Sequence, residues 1–162
     1  MTSPRFPAGS TIARRDMLDG RVWTAAGHRV LADDGTHLQF VLWPGTRTYS
    51  PTTWIDWFRT GDVSVRKQAI PDLAARNWTL GEWIWQDTAV LTWVGFDPDF
   101  NLQYYQPITA GTAYWKLNFE RPVTRTPHGI DTFDLLLDLI IAPTADGTGR
   151  TRTSTTRPGA SA

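Results

Sequence analysis

Punctuation is what most constrains this fold. Thirteen Gly and eleven Pro fall mostly between short runs rich in Val, Ile, Thr and aromatic residues, a pattern of short strands joined by turns rather than of long helices. The alternation predicts strands over residues 10–16, 20–31, 38–43, 63–67, 79–85, 89–96, 113–120 and 133–142. The intervening turns hold Leu18-Asp19-Gly20, Asp33-Asp34-Gly35, Pro44-Gly45 and Asp97-Pro98-Asp99. The first two end in Asp-Gly, which favours hairpin turns with positive φ. Helical signal is thin, with a turn or two expected over 51–58 and 71–76. There is no βαβ rhythm and no internal repeat. The expected fold is therefore a single mainly-β domain, an antiparallel barrel or tightly curled sheet with little helix.

Composition bounds the function. The chain has 162 residues, and sixteen Lys and Arg balance sixteen Asp and Glu. That balance argues against holding long DNA or an anionic membrane by charge, yet leaves room for a local basic pocket. The absence of cysteine excludes disulfides, thiolate zinc sites and Cys nucleophiles. No apolar run reaches the roughly 20 residues that span a bilayer, and MTSPRFPAGS does not read as a signal peptide. The expected location is the cytoplasm. Nine Trp, seven Phe and four Tyr supply a core, with most Trp expected inside the barrel and Trp54, Trp57, Trp83 or Trp85 available to stack on a base.

After Pro143 the composition changes. The stretch 144–162, TADGTGRTRTSTTRPGASA, carries too little apolar surface to offset its own ordering entropy, so the expected division is an ordered 1–143 and a disordered or frameshifted 144–162. The second reading comes from back-translation: GRTRTSTTRPGASA admits a codon choice that, shifted by one frame, spells WKDEDEYDQARRLG with G or C at every third position.

The segment 115–143, WKLNFERPVTRTPHGIDTFDLLLDLIIAP, carries the chemistry. Alternation puts Lys116, Asn118 and Glu120 on one strand face. It likewise puts Asp134, Leu136, Asp138 and Ile140 on one face of the next strand. Carboxylates in an apolar strand must be paired, hydrogen-bonded or on a metal. An Asn/Asp/Asp oxygen set suits Mg²⁺ or Mn²⁺ better than zinc. On pattern alone, Asp131 as a turn residue and Asp134 as a cap or solvent-facing group is the favoured alternative.

The same residues resemble the signature of the FomD-like nucleotide hydrolases, catalogued as domain of unknown function 402. The matching positions are Trp115, Asn118, Pro122, Arg125-Thr126, Gly129, Asp131-Thr132, Asp134, Leu137-Asp138 and Pro143. Weaker likeness covers Arg14 or Arg15, DGRVWTA at 19–25 and the strand near His28. The resemblance implies a β-barrel phosphohydrolase that cleaves nucleoside di- or triphosphates, or a cytidylyl conjugate, with one or two Mg²⁺ or Mn²⁺ ions. It makes Asn118, Asp134 and Asp138 metal ligands and Asp131 a ligand or a group bonded to one. Lys116 stands where the family pattern has Tyr, so Lys116 and Asp131 are the candidates to touch phosphate or relay a proton. The family pattern runs on into Trp-Lys-Asp-Glu-Asp-Glu and a C-terminal helix, which the shifted frame of the tail would spell and this chain lacks.

Metal-assisted hydrolysis also needs cations for the remaining phosphate oxygens. The candidates are Arg14, Arg15, Lys67, Lys116 and Arg125, although Arg14 and Arg15, adjacent on a strand, cannot both face one pocket. The histidines form no cluster, and His128 sits in a Pro-His-Gly turn. No Gly-x-Ser-x-Gly elbow and no Gly-x-x-x-x-Gly-Lys loop is present. The rival reading is a non-catalytic barrel that binds nucleotide or single-stranded RNA through its aromatics; RNA is a partner only under that reading.

Overall fold

The structure, a computed structural model, describes residues 5–143 and 149–155. The strands are β1 (Thr11–Leu18), β2 (Arg21–Asp33), β3 (His37–Leu42) and β4 (Arg47–Pro51). Two helices follow, α1 (Thr52–Thr60) and α2 (Val63–Ala74). Then come β5 (Leu80–Ile84), β6 (Thr88–Gly95), β7 (Phe100–Pro107), β8 (Tyr114–Glu120), β9 (Thr124–Thr126), β10 (Gly129–Thr132), β11 (Asp134–Pro143) and β12 (Gly149–Thr155). One sheet runs β12-β11-β8-β7-β6-β3-β2-β1-β10-β9, with β4 branching from β2 and β5 pairing β4. Its pairings are antiparallel except β1 with β10.

The sheet curls without closing into a barrel. Only Phe133 separates β10, which pairs β1, from β11, which pairs β8. One stretch of chain thus joins distant parts of the strand path, and the face between them becomes the interior. Its apolar part packs Ile12, Val30, Leu38, Phe40, Val94 and Ile130 with Phe6 and Val123. A second core forms where the helices meet the sheet, with Trp23, Ala69, Trp78 and Phe133 packed by Leu18, Trp54 and Leu73.

The hairpin turns behave as their residues dictate. Asp19 and Gly20 take φ of 49° and 76° between β1 and β2, the mirror-image turn that Asp-Gly favours. The strand expected over 63–67 is instead the start of α2. Asp62 caps it, accepting from the Ser64 amide at 2.8 Å, and Ala69 and Leu73 fall one helical turn apart on the Trp23 core. Strands β4, β7, β9 and β10 were not among the expected ones. Among the tryptophans, only Trp23 and Trp78 are buried; the others sit at the cavity, the helices or the outer face, where Trp115 packs on Trp93 and Tyr104. Residues 149–155, inside the tail expected to be disordered or frameshifted, pair antiparallel with β11, in keeping with the strand preference of Thr. The rest of that tail, 144–148 and 156–162, lies outside the described residues.

Gly129 is where the parallel pairing depends on glycine. Its φ is +152°, and a Cβ there would lie 1.9 Å from the Ala13 carbonyl oxygen on β1. Gly129→Ala must push β10 off β1, so urea unfolding is expected to show a loss of about 3 kcal/mol or more. An unchanged midpoint would mean that this pairing contributes little.

Candidate functional site

Alternation along β1 sends Arg14 and Asp16 into the interior and Arg15 to the opposite face. The Arg14 guanidinium donates to Glu120 of β8 at 2.8 Å and to Asp16 at 3.3 Å. Glu120 and Asp16 are almost fully buried, at 1% and 5% side-chain exposure. Thr24 donates to Asp16, as does the Asp134 amide at 3.2 Å. Burial works to lower the Arg14 pKa, but Asp16, Glu120 and Asp134 hold it above the usual arginine range.

On β8, Lys116 Nζ lies 3.1 Å from Asp138 Oδ1. Burial opposes its charge too, and Tyr105, Asp138 and Asp134 raise the ammonium pKa above the usual lysine value. Asn118, two residues on, stands between Asn101 of β7 and Asp138 of β11 in register. Both asparagines are buried, and neither side-chain amide has a hydrogen-bond partner. One oxygen of Glu120, Oε1, is buried in the same condition.

A bulge decides how the two carboxylates of β11 meet this row. Asp134 pairs with Glu120, and Leu137 already pairs with Phe119, so Leu135 and Leu136 are extra residues; Leu136 has φ 60°. Four residues along a regular strand would separate the two Asp by about 13 Å. Here they face Glu120 and Asn118, two residues apart on β8, a step of roughly 7 Å. Because the insertion is even, both keep the same face, as alternation predicted. Burial, with Asp16 adding to it against Lys116 and Arg14, pushes the Asp134 pKa up to about 6.

Arg14, Asp16, His28, Lys116 and Asp134 line a cavity of about 210 Å³ that is also bordered by Trp54, Phe58, Trp85 and Tyr105. His28 packs edge-on against Phe40 with its Nδ1 3.1 Å from the Ala26 carbonyl. Burial first, and Arg14 second, lower its pKa to about 3. Both effects favour the neutral imidazole at neutral pH.

The sequence candidates divide accordingly. The structure brings together Arg14, Lys116, Asn118, Asp134 and Asp138. It does not bring in Asp131, whose carboxylate takes a two-pronged bond from Arg15 at 2.7 and 2.8 Å. Arg15 and Asp131 belong to the opposite face of β1 and β10. Nor does it bring in Arg125, which is bound to buried Asp33 at 2.6 and 2.7 Å between the rings of Phe6 and Phe96. Lys67 is exposed on α2. Its neighbour Arg66, over the Trp57 ring at 4.8 Å, is the α2 cation that senses Asp138. His128 is exposed in its turn. Of the aromatic candidates, Trp54 and Trp85 border the cavity, whereas Trp83 packs on Phe58 and Trp57 on Phe58 and Arg66. Sequence reasoning did not single out Asp16, Glu120 or His28 as site residues, although the alternation that selected Lys116 and Asn118 already placed Glu120 beside them.

Among the described residues, no three His, Cys, Asp or Glu side chains form a metal-holding group. Asn118 adds an amide oxygen, buried and unpartnered beside Asp138, so Asn118, Asp134 and Asp138 together offer the oxygen chemistry that a hard divalent cation takes.

The curled β-sheet thus surrounds one cavity with carboxylates, two cations and aromatic side chains. No family model matches the chain. It is 28% identical over 146 residues to the cytidylyl-2-hydroxypropylphosphonate hydrolase of Streptomyces fradiae and 31% identical to that of Streptomyces wedmorensis, in each case across 84% of this chain and 58% of the relative. The chain therefore spans less than two thirds of the length of these curated relatives. Its fold matches the phosphatase SC4828 with the non-hydrolyzable nucleotide GPCP (TM-score 0.70, 24% identity, 92% of this chain and 68% of that one). It also matches FomD in complex with CDP (TM-score 0.65, 25% identity, 91% and 68%). The chain thus resembles these proteins in sequence and in fold. No described helix is long and apolar enough to cross a membrane.

Two outcomes follow from the buried charges. Arg14→Met leaves Glu120 charged and unpaired, so it should cost about 3–5 kcal/mol in chemical unfolding, with Arg14→Met/Glu120→Met recovering part of the loss. No recovery would mean that the two side chains act separately. His28, depressed from 6.5 to about 3, contributes stability that is complete above pH 6.5 and lost as pH falls towards 3, by up to ~1.4 kcal/mol per pH unit. A His28→Gln variant should thus gain on the wild type as unfolding is repeated from pH 7 down to pH 4. A constant difference would mean that His28 takes up its proton in the fold as it does in the unfolded chain.

Proposed function

We infer that this chain is a cytoplasmic phosphohydrolase acting on nucleoside di- or triphosphates or a related nucleotidyl conjugate, with a divalent cation, Mg²⁺ or Mn²⁺, as cofactor. The observation that carries the reading is the cavity itself: Arg14 and Lys116 line it with Asp16 and Asp134, and each cation pairs with a further carboxylate beside it, Glu120 and Asp138. Four carboxylates thus meet two cations at and beside the cavity, which suits a cation-bridged phosphate better than a bare anion. The likeness to hydrolases of a cytidylyl phosphonate and to nucleotide-bound neighbours supports the substrate class.

In this reading Asn118, Asp134 and Asp138 hold the cation, which when bound neutralises phosphate charge and acidifies water. Arg14 offers its guanidinium to a phosphate oxygen while remaining anchored by Glu120 and Asp16. Trp54, Phe58 and Trp85 at the cavity wall offer aromatic surface on which a base can pack. Partial burial of these side chains in the curled sheet strengthens each of these interactions. The non-catalytic RNA-binding alternative fares worse, because an interior with surplus carboxylates repels a phosphate backbone.

The test is phosphate release from a panel of nucleoside di- and triphosphates and a cytidylyl phosphonate, with Mn²⁺ or Mg²⁺ and with EDTA. Turnover should stop in EDTA, and Asp138→Asn should lower kcat/KM by about 100-fold or more. A parallel chain carrying the shifted-frame sequence after Thr148 should turn over faster. Nucleotide binding that persists in EDTA without any hydrolysis would hand the protein to the binding-module reading.

A further inference from the structure

Lys116 is the least expected member of the site. Its ammonium is a full positive charge, 14% exposed and 3.1 Å from Asp138 Oδ1. It lies 6.0 Å above the Tyr105 ring and close enough to Asp134 to be stabilised by it. Its strand position is two residues from Asn118, on the same face. Both carboxylates that fit a divalent cation therefore already have a cation from the chain itself. Asp138 cannot serve an ammonium at 3.1 Å and a divalent ion at full strength together, since two positive centres sharing one carboxylate repel each other in a medium of low dielectric.

We propose that Lys116 is a tethered counter-cation that competes with the divalent ion for Asp138, so that its side chain sets how tightly this cavity takes a metal. The proposal rests on Asn118, Asp134 and Asp138 being the cation's ligands. When a nucleoside phosphate enters, the ammonium has a second acceptor in the phosphate oxygens. Moving there frees Asp138, so nucleotide and metal bind more tightly together than apart.

The test reads metal binding, not turnover. Mn²⁺ alone is titrated into the full chain and followed by calorimetry and by the loss of the free-ion EPR signal. The variants are Lys116→Met, Lys116→Arg and Lys116→Met/Asp138→Asn, with circular dichroism to confirm folding. Lys116→Met should bind Mn²⁺ about tenfold or more tighter than wild type, Lys116→Arg should stay near wild type, and the double variant should lose the gain. If Lys116→Met does not fold, Lys116→Gln is read in its place. Equal Mn²⁺ affinity in wild type and the neutral variant, or no binding by either, overturns the proposal. The hydrolase reading fails on different ground: a chain that binds Mn²⁺ as expected and never releases phosphate would lose the activity and keep the competing lysine.

Discussion

The bond between Arg14 and Glu120 is the interaction on which this architecture turns. The two residues are 106 positions apart, on strands that meet only because the sheet curls, with Glu120 buried and Arg14 mostly so. A buried ion pair is a weak source of net stability, because desolvation offsets most of its Coulomb energy. Its force is conditional. Once the strands curl, neither charge can be left without the other, so the pair admits only arrangements that bring β1 onto β8. Asp16 strengthens that condition by accepting from Arg14, Thr24 and the Asp134 amide together.

The site follows from the same closure. Asp134 begins β11 directly after β10, and its amide is held by Asp16. The two-residue bulge that follows draws Asp138 up to Asn118 and Lys116. A regular strand would have carried Asp138 past this row. Bulges bend a strand and re-aim its side chains, and they concentrate beside functional sites for that reason. The left-handed φ of Leu136 is a strained conformation for a branched side chain, maintained by the pairing on both sides of it.

Much of the fold was legible because local rules and tertiary structure agree. Asp-Gly pairs made the expected turns, and period-2 alternation found β1, β2, β3, β5, β6, β8 and β11. It failed at residues 63–67, where Val-Ser-Val alternates like a strand but the cap at Asp62 and the need to cover Trp23 and Trp78 impose a helix. Single positions in the site were harder. Arg15 and Arg125 were candidates beside Arg14 and Lys116, but only the last two line the cavity, while Arg15 and Arg125 pair with Asp131 and Asp33 from distant parts of the chain.

The sequence by itself determined that the chain forms a cysteine-free, mainly-β domain, and which faces of β8 and β11 carry Lys116, Asn118, Asp134 and Asp138. Those properties depend on turn chemistry and on the alternation of side chains, both of which act over a few residues. Only the tertiary structure decided which charges meet. Arg14 went inward to Glu120 and Arg15 outward to Asp131, and Lys116 came to rest on Asp138. Ion pairing depends on distance in space and on burial, and neither is written in the spacing of residues along a strand.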